Sequence, residues 1–372
     1  MVEKIWSDDT TSQLEATVQF RKLLSDEKNS TVIEIIRADV LPRFSDFLSR
    51  HEHSQLQMEA AWVLTNIAAS DYTLLVAECG AVPRLVELLG SANANIRHQA
   101  TWALGNISAD LPSCRDIVLE HGAVTPLLAL FSEDMKVPVL RTATWALSNL
   151  CFGKLPAEVQ VLVENDILTY LAPLLARNYP NSIKKQACLI VSNIATGSND
   201  NIQAVIDADV VSPLIFLLKT SEMDIKVEAA WAISNAASGG SSDQIQYLVS
   251  RGCLEPLCNV LTYQDDDLVY SCLEGLQNIL EAGKQGQESG VNPYAHFILE
   301  CGGLDKLEDL QEVDNDTIYK LVMKLLEGYW DEEVSDDDPN LPTSNDSAET
   351  VETTSEDAAQ PAEPSVSPNE TE

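Results

Sequence analysis

The sequence contains few basic residues and few aromatic residues for its length. Lysine and arginine together number 23 against 58 acidic residues, which gives a formal net charge of -35 over 372 residues. Aromatic residues make up 6% of the chain, a share that is low for an all-β protein and ordinary for an array of helices packed with small aliphatic side chains. Such a charge repels nucleic acid and anionic membranes and attracts basic partners, but it also simply keeps a long protein soluble.

Membrane spans, secretory signals and metal sites are not indicated anywhere. No stretch approaches the roughly 18 apolar residues of a membrane helix, and the first nine residues lack the basic start and apolar run of a signal peptide. Eight cysteines are scattered without the close pairs of a zinc site, so we expect reduced structural thiols and no metal or other cofactor. We expect a soluble intracellular protein.

Enzyme chemistry is not indicated either. The five histidines show no spacing to a nucleophile or to metal ligands, and no phosphate-binding loop is present. We therefore predict no catalytic residue and no enzymatic activity.

An asparagine recurs along the chain at intervals of 40 to 44 residues, at Asn66, Asn106, Asn149, Asn193, Asn235 and Asn278. In four of these places a tryptophan stands four residues earlier, at Trp62, Trp102, Trp145 and Trp231. Residues four apart share one face of a helix, and a period near forty residues is typical of a helical solenoid of the HEAT or armadillo type. The sequence therefore predicts an all-α solenoid with a ladder of paired Trp and Asn along one face.

Each repeat also contains a predicted tight turn between its first two helices. Glycine marks this turn at Gly80, Gly122, Gly252 and Gly302, and aspartate, which tolerates a left-handed conformation, takes its place at Asp39, Asp166 and Asp209. In the third helix the small and apolar residues fall at helical spacing, as in Ala60, Ala61, Leu64, Ile67 and Ala68, and these are predicted to face the core.

The repeats divide the chain into three predicted regions. Residues 1–27 are a truncated first repeat, residues 28–330 form seven repeats, and residues 331–372 are a disordered acidic tail. The tail holds fourteen acidic residues and no lysine or arginine, so -21 of the net charge belongs to the repeats.

A ladder of this composition suits an extended basic peptide. Stacked helices lie about 8–10 Å apart, and an extended peptide advances about 3.3 Å per residue, so each Asn amide can hold a peptide unit every two to three residues. Two indoles on adjacent repeats leave a slot for the stem and charge of Lys or Arg. Asp110, Glu59 and Glu228 are candidates for selecting that cation. Alternatively, a single Trp can be a core residue, and Asn193 and Asn278, which lack the Trp, can serve as helix-end or inter-repeat hydrogen bonders.

Three segments carry a specific resemblance. Gln57 to Asn66, Arg97 to Asn106 and Ala143 to Asn149 resemble consecutive armadillo repeats of the importin α family, and Leu299 to Leu307 resembles its C-terminal repeat, most of all in the plant members. The resemblance covers about residues 7 to 335. It implies a right-handed superhelical solenoid that binds nuclear localisation signals of cargo proteins, which are Lys/Arg-rich extended segments, as an adaptor for nuclear import in the cytoplasm and nucleus.

The resemblance also assigns residues to two binding sites. The family's major site corresponds to Trp62, Asn66, Thr73, Gln99, Trp102, Asn106, Asp110, Trp145 and Asn149. Ser70 stands where the family has glycine, in a loop about two residues shorter. The minor site corresponds to Ser192, Asn193, Glu228, Trp231 and Asn235, but Leu189 replaces one of its two tryptophans, so we expect weaker binding there.

Two departures bear on partners. Two of the family's ten repeats are expected to be missing between the Asn149 and Asn193 units. The sequence shows no basic segment before Trp6, whereas the family uses such a segment to recruit importin β and to cover the groove, so importin β binding and autoinhibition are not expected by that route. The C-terminal repeat implies a contact with the family's export receptor.

Two other functions stay open on the sequence alone. A cargo-binding decoy or chaperone would hold basic proteins without recruiting importin β. A catenin-like armadillo scaffold would need a basic groove for acidic ligands, which the charge and the Trp/Asn ladder disfavour.

Overall fold

The computed structural model describes residues 1–26, 30–131, 136–152, 156–284 and 292–330. In that part of the chain every regular element is helical and there is no strand. The tail predicted at 331–372 lies outside the described residues, and so does the predicted boundary between residues 27 and 28.

The helices follow one another in the order first, second and third helix of each repeat. In chain order they are α1 (Val2–Ile5), α2 (Thr10–Asp26), α3 (Ser30–Arg37), α4 (Leu41–Leu48), α5 (Ser54–Ile67), α6 (Thr73–Val76), α7 (Val82–Leu88), α8 (Ala94–Ala109), α9 (Pro112–Glu120), α10 (Val124–Leu128), α11 (Val137–Cys151), α12 (Pro156–Glu164), α13 (Ile167–Ala176), α14 (Asn181–Ala195), α15 (Asn199–Asp207), α16 (Val211–Thr220), α17 (Met223–Gly239), α18 (Ser242–Ser250), α19 (Leu254–Val260), α20 (Asp266–Lys284), α21 (Pro293–Glu300), α22 (Gly303–Asp309) and α23 (Asp316–Tyr329). A π-helical turn covers Ala77–Ala81, and 3-10 turns cover Ala129–Phe131 and Leu310–Glu312.

Turn and cap residues explain where these helices begin and end. Proline stands in the first turn of α4, α7, α9, α11 and α21, where its missing N–H leaves no hydrogen bond unmade. The side chain of Asn93 caps α8, and Ser241 with Gln244 forms a reciprocal capping box on α18. These prolines and capping side chains therefore define where the helices begin.

The tight turn predicted in every repeat is confirmed. The backbone is left-handed at Gly80, Gly122, Gly252 and Gly302, and also at Asp39, Asp166 and Asp209, with φ between 51° and 84°. Aspartate at these three places bears a strain that glycine would not, because its Cβ approaches the following carbonyl.

Third helices pack side by side and form the backbone of the solenoid. Each of α2, α5, α8, α11, α14, α17, α20 and α23 contacts the third helix before or after it. Their inner faces are fully buried, as at Leu64, Ile67, Leu104 and Ile107, and each such side chain contributes about 1.5–3 kcal/mol to burial free energy. The predicted core positions of α5, from Ala60 to Ala68, are confirmed as buried.

The expectation of an all-α armadillo solenoid is thus confirmed, with one continuous core from Ile5 to Leu326. Each of the eight third helices has a second side, which faces away from the core. We call the surface that these sides form together the third-helix face. All six ladder asparagines and all four ladder tryptophans lie on these helices.

The left-handed turns generate a stability prediction. Asp209→Val places a β-branched side chain at φ 60° and should lower the free energy of unfolding by about 1–2 kcal/mol. Asp209→Gly relieves the same strain at the cost of a more flexible unfolded chain, so its effect should stay within about 0.5 kcal/mol. Urea unfolding of the two variants checks this. Equal stability of the Val and Gly variants would contradict it.

Candidate functional site

Ladder asparagines join neighbouring third helices by hydrogen bonds to the backbone. In each case the Nδ2 amide donates to the carbonyl of the residue that precedes the ladder asparagine of the previous repeat. The bonds run from Asn106 to Thr65 (3.0 Å), from Asn149 to Gly105 (3.1 Å) and from Asn235 to Ser192 (3.3 Å). The asparagines therefore fix the register of one helix against the next.

This bond leaves part of each amide available. An Asn side chain has two N–H donors and a carbonyl oxygen, and the inter-repeat bond uses one donor. Among the described residues no donor reaches the Oδ1 atom of Asn106, Asn149 or Asn235. Each amide is held in a fixed orientation. Asn106 and Asn149 keep an acceptor and a donor, whereas Asn235, which also donates to Ser192 Oγ at 3.2 Å, keeps its acceptor.

Two ladder asparagines depart from the pattern. Asn278 donates to the carbonyl of Ser238 (2.7 Å), which is still an inter-repeat bond but to a different position. Asn193 turns back to the carbonyl of Leu189 in its own helix (3.0 Å) and approaches Cys151 Sγ (3.8 Å). Of the alternative roles that the sequence left open, an inter-repeat hydrogen bond is observed for Asn278, and Asn106, Asn149 and Asn235 make such bonds as well.

Asn66 stands at the first ladder position and has an unpaired donor. Its Nδ2 atom is buried without a hydrogen-bond partner in the described chain. In the previous repeat, the carbonyl equivalent to the other acceptors is that of Arg21. This carbonyl instead accepts a hydrogen bond from Ser25 Oγ at 3.0 Å. A buried donor left in this way costs about 1–3 kcal/mol.

The ladder tryptophan Trp145 packs directly on the preceding third helix. A Cβ atom built on Gly105 would lie 2.3 Å from Cζ3 of Trp145, so the indole occupies the space that a side chain at position 105 would need. Trp62, Trp102 and Trp231 are also half-buried. Part of each tryptophan is therefore buried and part is exposed. This burial is intermediate between that of a core residue and that of a fully exposed surface residue.

His98 lines the same face one helical turn from Trp102. Its ring stacks on the Trp102 indole with centroids 6.4 Å apart and an interplanar angle of 27°, and its Nε2 atom lies 2.9 Å from Thr142 Oγ1. Burial lowers the pKa of His98 below its ordinary value, because desolvation penalises the charged ring. A neutral imidazole therefore borders the slot between Trp102 and Trp145.

Gln99 and Thr73, both assigned to the major site, are buried and bond to other groups of this chain. Gln99 Nε2 donates to Thr65 Oγ1 at 2.7 Å. The Thr73 hydroxyl lies 3.0 Å from the carbonyl of Ala68 and 2.8 Å from that of Ser70. With 2% exposure, Thr73 shapes the end of α5 and presents almost no surface of its own.

Asp110 presents an exposed carboxylate at the end of α8. Its side chain makes no hydrogen bond or ion pair with any described residue, while its backbone carbonyl accepts from Arg115 at 3.2 Å. Arg115, which is buried, also contacts the carbonyl of Ser108 (3.4 Å) and so holds the turn that displays Asp110. An available anion beside Asn106 can attract a cationic side chain.

Residues assigned to the minor site also lie together. Asn235 Nδ2 reaches both the carbonyl and the hydroxyl of Ser192, at 3.3 and 3.2 Å. Glu228 lies on α17 one turn before Trp231 and close to Cys188, whose thiol pKa is raised first by burial and then by the Glu228 charge. Asn193 is the one member of this set whose amide is turned to its own helix.

Glu59 does not stand free as a cation selector, because an arginine of this chain already pairs with it. Arg21 on α2 forms an ion pair with the Glu59 carboxylate, and its guanidinium stacks over the Trp62 ring with Cζ 4.5 Å from the ring centroid. The sequence analysis overlooked Arg21, although its place one repeat before Trp62 was a usable signal.

Other chemistry is not apparent in the described residues. They contain no group of three or more His, Cys, Asp or Glu side chains that could hold a metal ion. In the same residues no single helix is long and apolar enough to cross a membrane, and the pair α15 and α16, which passes such a test together, is bent by 80°. All eight cysteines are free thiols.

Comparison with known proteins places this ladder in a family. The armadillo/beta-catenin-like repeat matches residues 20–69, 70–109, 112–152, 198–238 and 241–281, and an atypical Arm repeat matches residues 292–344. Importin subunit alpha-1a of Oryza sativa subsp. japonica is 42% identical over 423 positions, which cover 90% of this chain and 80% of the relative. Importin subunit alpha-2 of Arabidopsis thaliana is 41% identical and covers 94% and 81%. The chain belongs to the importin α family.

Solved structures agree with the armadillo fold. An engineered protein superposes with a TM-score of 0.76 at 27% identity, over 87% of this chain and 76% of that one. A designed armadillo repeat protein, in complex with the peptide (KR)4, superposes with a TM-score of 0.57 at 31% identity, over 67% of this chain and 99% of that one.

This importin α is shorter than its relatives within the aligned region. The alignment to the rice protein has 423 positions, whereas 90% of 372 residues is about 335, so about 88 positions have no counterpart here. That length equals two periods of 40 to 44 residues. It agrees with the expected absence of two repeats, and their position between the Asn149 and Asn193 units stays a prediction.

Nesting of Trp145 on Gly105 can be tested by substitution. Gly105→Ala should displace the indole and lower the free energy of unfolding by about 1–3 kcal/mol, because the added methyl overpacks the site. Gly328→Ala in α23 has open space around the new Cβ and should be neutral or stabilising by up to about 1 kcal/mol. Chemical unfolding with tryptophan fluorescence measures both effects. A Gly105 variant as stable as the Gly328 variant would contradict the nesting.

Burial of His98 predicts a pH dependence. Because its pKa is lowered on folding from the ordinary 6.5, the unfolded chain takes up a proton at a higher pH than the folded one, and stability falls as the pH drops below 6.5. His98→Gln should remove this part of the acid destabilisation. Unfolding at pH values on both sides of 6.5 measures it, with His121→Gln, at an exposed position, as the control. An unchanged pH profile for the His98 variant would disprove the expectation.

Proposed function

We propose that the third-helix face is a groove that binds basic nuclear localisation signals of cargo proteins, and that the protein serves as an adaptor for protein import into the nucleus. The observation that carries this proposal is the row of oriented amides. Asn106, Asn149 and Asn235 are each held by an inter-repeat bond and keep an acceptor available, and Asn106 and Asn149 keep a donor as well.

Oriented amides bind a backbone without regard to its side chains. An extended peptide presents one N–H and one C=O per residue, and these can pair with a free Oδ1 and, at Asn106 and Asn149, with the remaining N–H. Because the inter-repeat bonds fix the amides before a ligand arrives, little side-chain entropy is lost on binding.

Selection for lysine and arginine follows from the indoles and from Asp110. Trp102 and Trp145 are half-buried and keep part of each ring exposed, where an alkyl stem can pack and a cation can meet the π-face. Trp62 is half-buried as well, but Arg21 already stacks on one face of its ring. The unpaired carboxylate of Asp110 adds a charge-assisted bond for one ammonium. In this major site Thr73 holds the backbone at the end of α5, and Gln99 holds the side chain of Thr65.

A second, weaker site is proposed around Trp231. Asn235, Ser192 and Glu228 surround this indole on α14 and α17, but Leu189 supplies no π-face on the neighbouring repeat. Asn193 must also turn away from the Leu189 carbonyl to meet a peptide, and that rotation costs the bond it makes now. Binding here should therefore add to the major site without replacing it.

The relatives support the same function. The rice and Arabidopsis proteins are named importin alpha subunits, and the designed armadillo protein is in complex with a peptide of alternating lysine and arginine. An import adaptor operates in the cytoplasm and the nucleus, and those are the proposed locations.

A charge reversal at Asp110 tests the major site. Asp110→Lys should weaken binding of a fluorescently labelled Lys/Arg-rich signal peptide at least tenfold, because the cation would meet a like charge where it now meets an anion. Fluorescence anisotropy at low salt gives the affinity. Glu308→Lys makes the same change in net charge at an exposed position of α22 and should leave the affinity within about twofold, the effect of a distant screened charge.

Each outcome decides a different point. Failure of the peptide to bind at low salt would overturn the proposed function. Equal losses from the two substitutions would show that net charge, rather than the Asp110 site, drives binding. A pull-down with importin β on the same protein then separates an import adaptor from a cargo-binding decoy.

A further inference from the structure

The slot in front of Trp62 is already filled by a side chain of this chain. Arg21, on the preceding third helix, lies with its guanidinium carbon 4.5 Å from the centre of the Trp62 ring and pairs with the Glu59 carboxylate. The two charged side chains are only 18% and 11% exposed. The Arg21 guanidinium thus stacks on an indole and pairs with a carboxylate. The same two interactions are proposed above for a lysine or arginine of the cargo.

Arg21 on α2 occupies the same position in its repeat as Gly105 on α8 occupies in its own. Gly105 directly precedes ladder Asn106 and lies beneath Trp145, and Arg21 directly precedes Lys22 and lies beneath Trp62. Counted in the same way, Val18 takes the place of a ladder tryptophan and Lys22 that of a ladder asparagine. The helix α2 thus lacks both ladder residues and contributes two cations where the third-helix face begins.

We propose that Arg21 acts as an internal substitute for a cargo cation in the slot before Trp62 and thereby sets the end of the basic-selective groove. This inference rests on the proposed function and identifies a specificity-determining residue within it. A cargo lysine or arginine at this slot would meet Arg21 and Lys22 instead of an open acid. Cargo residues beyond Trp62 on the α2 side should therefore be neutral or acidic.

Glu59 explains why removing Arg21 should reverse this preference. In the present structure its carboxylate is matched by the guanidinium, so it offers nothing to a ligand. Without Arg21 the half-buried Trp62 ring and the carboxylate would form a vacant site for one cation. A vacant anion of this kind captures an ammonium or guanidinium group from a ligand.

The test compares peptides that differ at one residue. A core signal peptide is extended by two residues at either its N-terminus or its C-terminus, ending in lysine or in alanine, so that one of the two extensions reaches α2 whichever way the peptide runs. With the unaltered protein, the lysine form should bind no tighter than the alanine form, because Arg21 and Lys22 carry the same charge as the added lysine. With Arg21→Met, which keeps the aliphatic packing, the lysine form of one extension should bind about tenfold tighter than its alanine form, a gain expected from a cation–π contact combined with an ion pair.

Two further variants show that the effect belongs to this slot. The double variant Arg21→Met, Glu59→Gln should lose most of the gain, because the vacant acid is gone. Arg43→Met removes an arginine that also stacks on aromatic rings, Trp6 and Phe47, but lies on the second helix α4, so it should leave the lysine-to-alanine ratio unchanged. Thermal unfolding of each variant confirms that the comparison is made on folded protein, and the ratio within one variant does not depend on its stability.

Equal binding of the two peptides to Arg21→Met would overturn this inference while leaving the proposed function intact, provided that the core peptide binds. Tighter binding of the lysine form to the unaltered protein would also overturn it, because the slot would then already be open. Loss of core-peptide binding to the unaltered protein would overturn both proposals together.

Discussion

The structure depends on one hydrogen bond that is repeated along the chain, from an asparagine amide on one third helix to a backbone carbonyl on the helix before it. Hydrophobic burial holds neighbouring helices together, but two helices that share an apolar interface can still shift slightly along each other. A directed bond such as that from Asn106 to Thr65 removes this freedom. The spacing of the amides and of the tryptophan rings that nest beside them is therefore set by the array before any ligand arrives.

Much of the fold could be predicted from the sequence, because a repeated pattern reports the same local structure many times. The left-handed turns at Gly80 and Asp209 were predictable since few residues tolerate that conformation. The inward face of α5 was predictable from its helical spacing. The comparisons confirm the armadillo fold and the importin α family that the Trp and Asn positions indicated.

The candidate site was less predictable, because its details depend on contacts between repeats. The sequence placed Glu59 beside a tryptophan but could not show that Arg21, 38 residues earlier, neutralises it. It assigned Thr73 a role in binding without showing that the residue is 2% exposed. Asn193 keeps its ladder position in the sequence and yet bonds within its own helix. At that same junction Ser148 donates to Gln186 on α14 at 2.6 Å, so a different side-chain pair connects the two helices.

The inter-repeat bond has an evolutionary consequence, because its acceptor is a main-chain carbonyl. Thr65, Gly105 and Ser192 serve as acceptors with three different side chains. A donor that ignores the identity of its acceptor makes repeats interchangeable, since a unit can be joined to a new neighbour without a matching substitution on the other side. Where the bond is made, the side chain of the acceptor residue can therefore change without loss of the connection between the two units.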